Sequence, residues 1–185
     1  MSRWWWPVWL SVLTGCAAEP PRSVAPYLER APAGTFGPID AEPRLAGFRD
    51  VFTHLDSPDL PGRIGAAYAE TFWFNDTFHT LQRRDQLVQY FMSLQGKSRT
   101  TVTLLDVAVM GDHALLRWTM RIEFSLLWKD LDVRSTGITH LHWNEDGQID
   151  LHQDYWDGVE GFYVHIPVLG GLLRAVRARL GEVPE

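Results

Sequence analysis

The chain reads as an α+β domain, with helices laid on one face of a curved antiparallel sheet. Two observations predict it. Apolar residues recur at helical spacing up to residue 94, and from residue 99 the period changes to two across four runs separated by short turn signals. The elements follow in order. Leu45, Phe48, Val51, Phe52 and Leu55 make one apolar helical face, which Pro58 and Pro61-Gly62 are expected to end. A helical turn over 64–69 leads into 71–77, where Phe72, Trp73 and Phe74 favour a strand. Leu87, Val88, Phe91 and Leu94 face the core from the next helix, which Gly96 closes. Residues 99–110, 114–128, 133–143 and 149–157 read as strands, joined at Gly111-Asp112, over 129–132 and over 144–147. A last helix carries Val168, Leu169, Leu172, Leu173, Val176 and Leu180 as an apolar stripe, with Arg174, Arg177 and Arg179 off it. Such a helix packs on its own domain or on a partner subunit, or lies on a membrane.

Strand alternation sorts side chains onto two faces. Leu116, Trp118, Met120, Ile122 and Phe124 point inward, and Arg117, Thr119, Arg121 and Glu123 outward. In the last hairpin, a turn with a glycine bulge puts Thr139, Leu141, Trp143, Ile149, Leu151 and Tyr155 inside. It leaves His140, His142, Asp150, His152, Asp154 and Trp156 outside. A tighter turn would set His142 opposite Leu151 and mix polar with apolar residues on both faces, so the first register is expected.

The N-terminal part speaks to location. Residues 4–13 form an apolar run far shorter than the ~20 residues of a membrane-spanning helix. It ends in Leu13-Thr14-Gly15-Cys16, which resembles a bacterial lipoprotein lipobox over residues 1–16. The resemblance implies lipidation of Cys16 and attachment to the bacterial cell envelope, at the periplasmic face of the outer membrane where the cell has one. Were residues 1–43 a mis-assigned start, the protein would be cytoplasmic. Cys16 is the only cysteine, so no disulfide can form. Residues 17–43 hold six of the eleven prolines and are expected as an extended linker, leaving 44–182 as one domain. A net charge of −6 without a basic stripe excludes a nucleic-acid binder. No glycine-rich phosphate loop is present, so no cofactor is expected.

Two segments carry a family resemblance. Tyr68-Ala69-Glu70-Thr71-Phe72-Trp73-Phe74-Asn75-Asp76 is similar to the Tyr-Ala…Asp segment of the nuclear transport factor 2-like superfamily. His152-Gln153-Asp154-Tyr155-Trp156-Asp157, followed by Ile166-Pro167-Val168-Leu169-Gly170 and an arginine-rich helix, resembles a SnoaL-like group within it. The resemblance covers about residues 44–182. It implies a cone-shaped α+β fold that hosts ketosteroid isomerases, SnoaL-like cyclases and limonene-epoxide hydrolases as well as non-enzymes. It also makes Asp76 the acid/base candidate, with His79 in support; the alternative for both is a local turn role. The chain lacks the tyrosine that the isomerases carry on the first helix, and Arg117 and Arg121 point outward, so neither the isomerase nor the hydrolase set is reproduced.

Phe74, Trp118, Met120, Thr139 and Trp143 are expected to line an aromatic cavity, with Tyr155 and Asp157 at its mouth. His140-x-His142 and His152-x-Asp154 could converge on a metal, but the expected register puts them on the unshielded outer face, and no metal is expected. That polar face is either solvated or buried against a second copy. Three roles remain open: binding of a small apolar or polycyclic molecule, a cofactor-independent isomerase, cyclase or hydrolase, and a non-enzymatic subunit of an envelope complex.

Overall fold

A computed structural model describes residues 24–126 and 128–180. The lipobox with Cys16 lies outside them. Helices α1 (Val24–Arg30), α2 (Leu45–Thr53) and α3 (Leu60–Ala67) precede strands β1 (Tyr68–Asn75) and β2 (Thr80–Arg83). Helix α4 (Arg84–Leu94) leads to the long strands β3 (Ser98–Met110), β4 (His113–Leu126) and β5 (Lys129–Trp143), then to β6 (Ile149–Trp156). A short turn of helix α5 (Gly158–Gly161) and the closing helix α6 (Leu169–Arg179) follow. The strands form one curved sheet in the order β2-β1-β6-β5-β4-β3. The α+β class holds, and the sheet is mixed, because β1 runs parallel to β6 while every other pair is antiparallel.

Where the elements differ from expectation, local chemistry accounts for it. Pro61 opens α3 instead of closing α2, because the first helical turn has no use for the amide proton that proline lacks. Asp76–His79 forms a turn, with Thr77 at φ 83°, that folds the predicted strand into the β1–β2 hairpin. The β4 and β5 strands pair to their ends at Leu126 and Lys129, so residues 129–132 are strand instead of turn.

The core lies between helices and sheet. Leu45, Phe48 and Val51 of α2 meet Leu60 and Ile64 of α3 and Leu87 of α4, all fully or almost fully buried. Leu116, Leu141, Trp143 and Ile149 cover them from the strands.

Residues 24–43 are not extended. Arg117 points outward from β4 as predicted but is 2% exposed, paired with the fully buried Asp106 of β3. Its guanidinium donates to the Tyr27 hydroxyl (2.9 Å) and to the carbonyls of Ala31 (3.0 Å) and Pro32 (2.9 Å). Asp106 Oδ2 accepts from the Gly34 amide at 2.9 Å. Gly37 then exchanges two backbone hydrogen bonds with Val107. Composition misled here, because the segment docks through charge and backbone groups instead of apolar area. It covers part of the sheet face that was open to a second copy.

Candidate functional site

The last hairpin decides what the site contains. His142 pairs with Leu151 but Trp143 pairs with Ile149, so Asp150 is an extra residue in β6. Ile149 therefore faces inward, and beyond the bulge so do His152, Asp154 and Trp156. This is the register that the sequence argument set aside. Polar and apolar residues do mix on the inner face, and the mixture is stable because the inward polar groups satisfy one another. His142 and Asp150 remain on the outer side, with Nδ1 of His142 at 2.5 Å from Asp150 Oδ1.

A cavity of about 500 Å³ opens between α2, α4 and the sheet. Its walls are mainly Phe48, Phe52, Phe74, Phe91, Trp118, Met120 and Ile122, with Phe124, Trp156 and Phe162 on one side. Of the residues predicted from sequence, Phe74, Asp76, His79, Trp118, Met120 and Thr139 line it together. Trp143 does not. It is core, with the Arg44 guanidinium 4.5 Å above its ring. Tyr155 faces outward and is 59% exposed, as the bulge requires. Asp157 caps α5 by accepting from the Glu160 amide at 3.0 Å. It thereby joins the strand end to the C-terminal helices instead of lining the cavity mouth.

Two carboxylates reach the cavity, and their surroundings differ. Asp76 Oδ1 accepts from the amides of Phe78 (3.0 Å) and His79 (2.8 Å), and Oδ2 accepts from the Tyr90 hydroxyl at 2.5 Å. Burial, reinforced by the Asp76 charge, pushes the Tyr90 phenol well above its ordinary range, so it remains a donor. Both oxygens of Asp76 are thus occupied by the protein. The His79 ring packs on Tyr90 with centroids 4.4 Å apart.

Asp154 ends a buried relay. The Trp118 indole donates to Thr139 Oγ1 at 2.8 Å, so that hydroxyl turns its own proton to Asp154 Oδ1 at 2.5 Å. His152, fully buried, lies with Nε2 3.0 Å from the same oxygen and Nδ1 2.8 Å from the Tyr68 hydroxyl. Burial raises the Tyr68 phenol far above its usual value, so it stays protonated and donates to Nδ1. His152 then carries its proton on Nε2 and donates to Asp154. All these bonds fall on Oδ1, and among the described residues Oδ2 takes none. Asp154 itself is 14% exposed. It therefore offers one unused carboxylate oxygen in an apolar chamber.

Sequence reasoning missed His152, Asp154, Tyr68, Tyr90 and Trp156 as site residues. The His152-x-Asp154 spacing was visible, and Thr139 was already placed inside. Tyr90 falls on the same face of α4 as Leu87 and Phe91, a signal that was available.

The SnoaL-like domain family matches residues 48–152. The chain belongs to this family. Among solved structures, it is similar to an LEH-like epoxide hydrolase of M. tuberculosis (TM-score 0.52, 17% identity, 74% of this chain and 94% of that one). It is similar to a Jannaschia sp. CCS1 protein assigned as a SnoaL-like polyketide cyclase (TM-score 0.52, 13% identity, 76% and 93%). A third is a Catenulispora acidiphila DSM 44928 protein of ketosteroid isomerase-like fold, solved with trimethylamine (TM-score 0.53, 15% identity, 63% and 88%). At these identities the structural likenesses establish the SnoaL-like fold alone. No curated protein matches the chain. Among the described residues no group of three or more ligating side chains is arranged to hold a metal, and no helix is long and apolar enough to cross a membrane.

Proposed function

We propose that this SnoaL-like domain binds a small, largely apolar, ring-containing molecule in the aromatic cavity and moves a proton on it through Asp154, without a cofactor. The observation that carries the reading is the Trp118–Thr139–Asp154–His152–Tyr68 relay in a chamber otherwise walled by hydrocarbon. A cavity that merely shelters an apolar ligand has no need of a buried polar chain, which is costly wherever one of its members is unsatisfied. The relay holds the carboxylate in one orientation and leaves Oδ2 toward a reacting atom. Thr139 and His152 both meet its Oδ1, and His152, backed by Tyr68, can follow the proton as it moves. Asp76, the candidate that the family resemblance names, fits better as the group that fixes Tyr90 and the β1–β2 turn.

Binding and chemistry separate experimentally. An environment-sensitive naphthyl ketone dye is titrated into the protein, displaced by cyclic ketones and epoxides, and the bound ketones are followed by NMR for deuterium uptake from solvent. Asp154→Asn should leave dye affinity within a few-fold and slow deuterium uptake by roughly 10²–10⁴. Asp76→Asn should slow it much less. Equal losses in the two variants would return the proton to Asp76, and absence of exchange with every bound ketone would reduce the domain to a binding module.

The N-terminal motif supports a second, separate proposal: Cys16 is acylated and tethers this domain to the envelope, 8 residues ahead of α1. Growth with a clickable fatty acid should label the protein, and a Cys16→Ala chain that still carried label would defeat this.

A further inference from the structure

Helix α6 has a face that no described part of the molecule covers. Leu172, Val176 and Leu180 are 62%, 45% and 80% exposed, and their four-residue spacing places them on one side of the helix, with Val168, 92% exposed, just ahead of its start. The helix touches its own domain mostly at its start. Gly170 lies so close to the 163–165 turn that a Cβ there would stand 1.9 Å from the Val164 carbonyl, and Arg174 donates to that carbonyl at 3.2 Å. Further along, Arg177 lies 3.6 Å from Asp157 and 3.8 Å from Glu160.

The charge on this helix runs against that of the chain. Over Leu169–Arg179 it carries Arg174, Arg177 and Arg179 and no acidic residue, in a protein of net charge −6. A second feature lies on the same side. Trp128, 83% exposed, sits at the tip between β4 and β5 beside Lys129. The chain just ahead of the helix ties the two together: Phe162 stacks on Phe124 near the tip end of β4, with ring centroids 5.4 Å apart, and the helix docks on Val164. An exposed apolar line edged by arginines, next to an exposed tryptophan and a lysine, has the makeup of a surface that settles among lipid headgroups.

We infer that α6 and the Trp128–Lys129 tip form a docking surface for an anionic lipid bilayer, with Val168, Leu172, Val176 and Leu180 seated in the headgroup region. Arg179 on the helix and Lys129 at the tip flank the exposed apolar residues, and anionic headgroups complement those cations, whereas a second copy would bring like charge against like. The surface is distinct from the proposed lipid anchor: it needs no acyl chain, and it depends on the charge of the bilayer.

The test uses the full chain carrying Cys16→Ser, so that acylation contributes nothing. Hydrogen exchange of the 168–180 segment is compared in buffer, with phosphatidylcholine vesicles, and with vesicles that also contain phosphatidylglycerol. Protection beyond what the helix's own hydrogen bonds give in buffer should appear only with the anionic vesicles and should fade as salt is raised. Replacing Lys129 and Arg179 by Gln should weaken co-sedimentation with those vesicles on the order of 25-fold, about fivefold per cation. Leu172→Ser with Val176→Ser, both on exposed positions, should abolish the protection while leaving the melting temperature unchanged. Exchange that the anionic vesicles leave unchanged means that this face does not meet the bilayer, and added protection that ignores lipid charge means that the cations do not select it. Either result overturns the proposal.

Discussion

Trp118 shows how one side chain depends on its neighbours. Its ring lies flat across β5 because residue 137 has no side chain: a Cβ there would fall 2.4 Å from Cζ2 and 2.5 Å from Cη2. Glycine in the middle of a strand marks such a close approach. In that pose the indole N–H meets Thr139, and Thr139 is thereby set to donate to Asp154. Gly137→Ala should therefore cost about 1–3 kcal/mol in denaturant unfolding and shift the tryptophan emission, because the ring must leave the strand. Thr139→Val keeps the shape but strands the indole proton and removes one donor from Asp154. It should cost a similar ~1–3 kcal/mol. If proton transfer survives Thr139→Val undiminished while stability falls, the hydroxyl supports the fold alone.

At the scale of elements, the long strands and the helices α2 and α4 were legible because each buries one face against the core. Periodicity reports burial, and burial is what those segments do. The same reasoning failed at β6, since one bulged residue, Asp150, exchanges every later side chain between faces. Nothing in the pattern of Ile149, Leu151 and Tyr155 announces the exchange. What could have announced it was the pairing capacity of the groups involved: His152, Asp154 and Thr139 can satisfy one another indoors. The local turn role for Asp76 was open in the sequence as an alternative, but its second bond, to Tyr90, joins β1 to α4 and is invisible to any spacing rule. Helix α6 was recognised as amphipathic, and its tightest attachment is at Gly170, with contacts of Arg174 and Arg177 further along. Gly170→Ala should push the helix off the Val164 carbonyl and speed hydrogen exchange over 169–179 by an order of magnitude or more. Core strands β4 and β5 should keep their protection. A global loss of protection would mean that α6 is an integral part of the core.

For the whole molecule, the least expected feature is the N-terminal strap of residues 24–41, held across the outer sheet face by one buried ion pair. The pair is almost fully enclosed, and its hydrogen bonds reach five residues of the strap, Tyr27, Ala31, Pro32, Gly34 and Phe36, so sheet and strap share one electrostatic lock. Bonds from Arg117, aided by the Phe36 and Gly34 amides, hold the Asp106 carboxyl below its usual range against the opposing effect of burial. The unfolded chain titrates this group near pH 4, at about 3.9. A carboxyl with a lowered folded-state pKa adds stability above the unfolded value and loses it as pH falls through the folded one. Between neutral pH and about pH 5 the strap should accordingly be insensitive to acid. Below about pH 4 it should release, and exchange over 27–37 should rise before the cavity strands lose theirs. Asp106→Asn removes the titrating group and leaves the Arg117 cation enclosed without a counter-charge, which costs about 3–5 kcal/mol. In that variant the strap should be loose at neutral pH, and its exchange should no longer respond to acid. Replacing both members with Leu at 106 and Met at 117 restores an uncharged interior and should recover most of the global stability without recovering the strap. A strap that stayed protected in the Leu–Met chain would show that backbone pairing at Gly37 and Val107 suffices to hold it, and that the ion pair is dispensable.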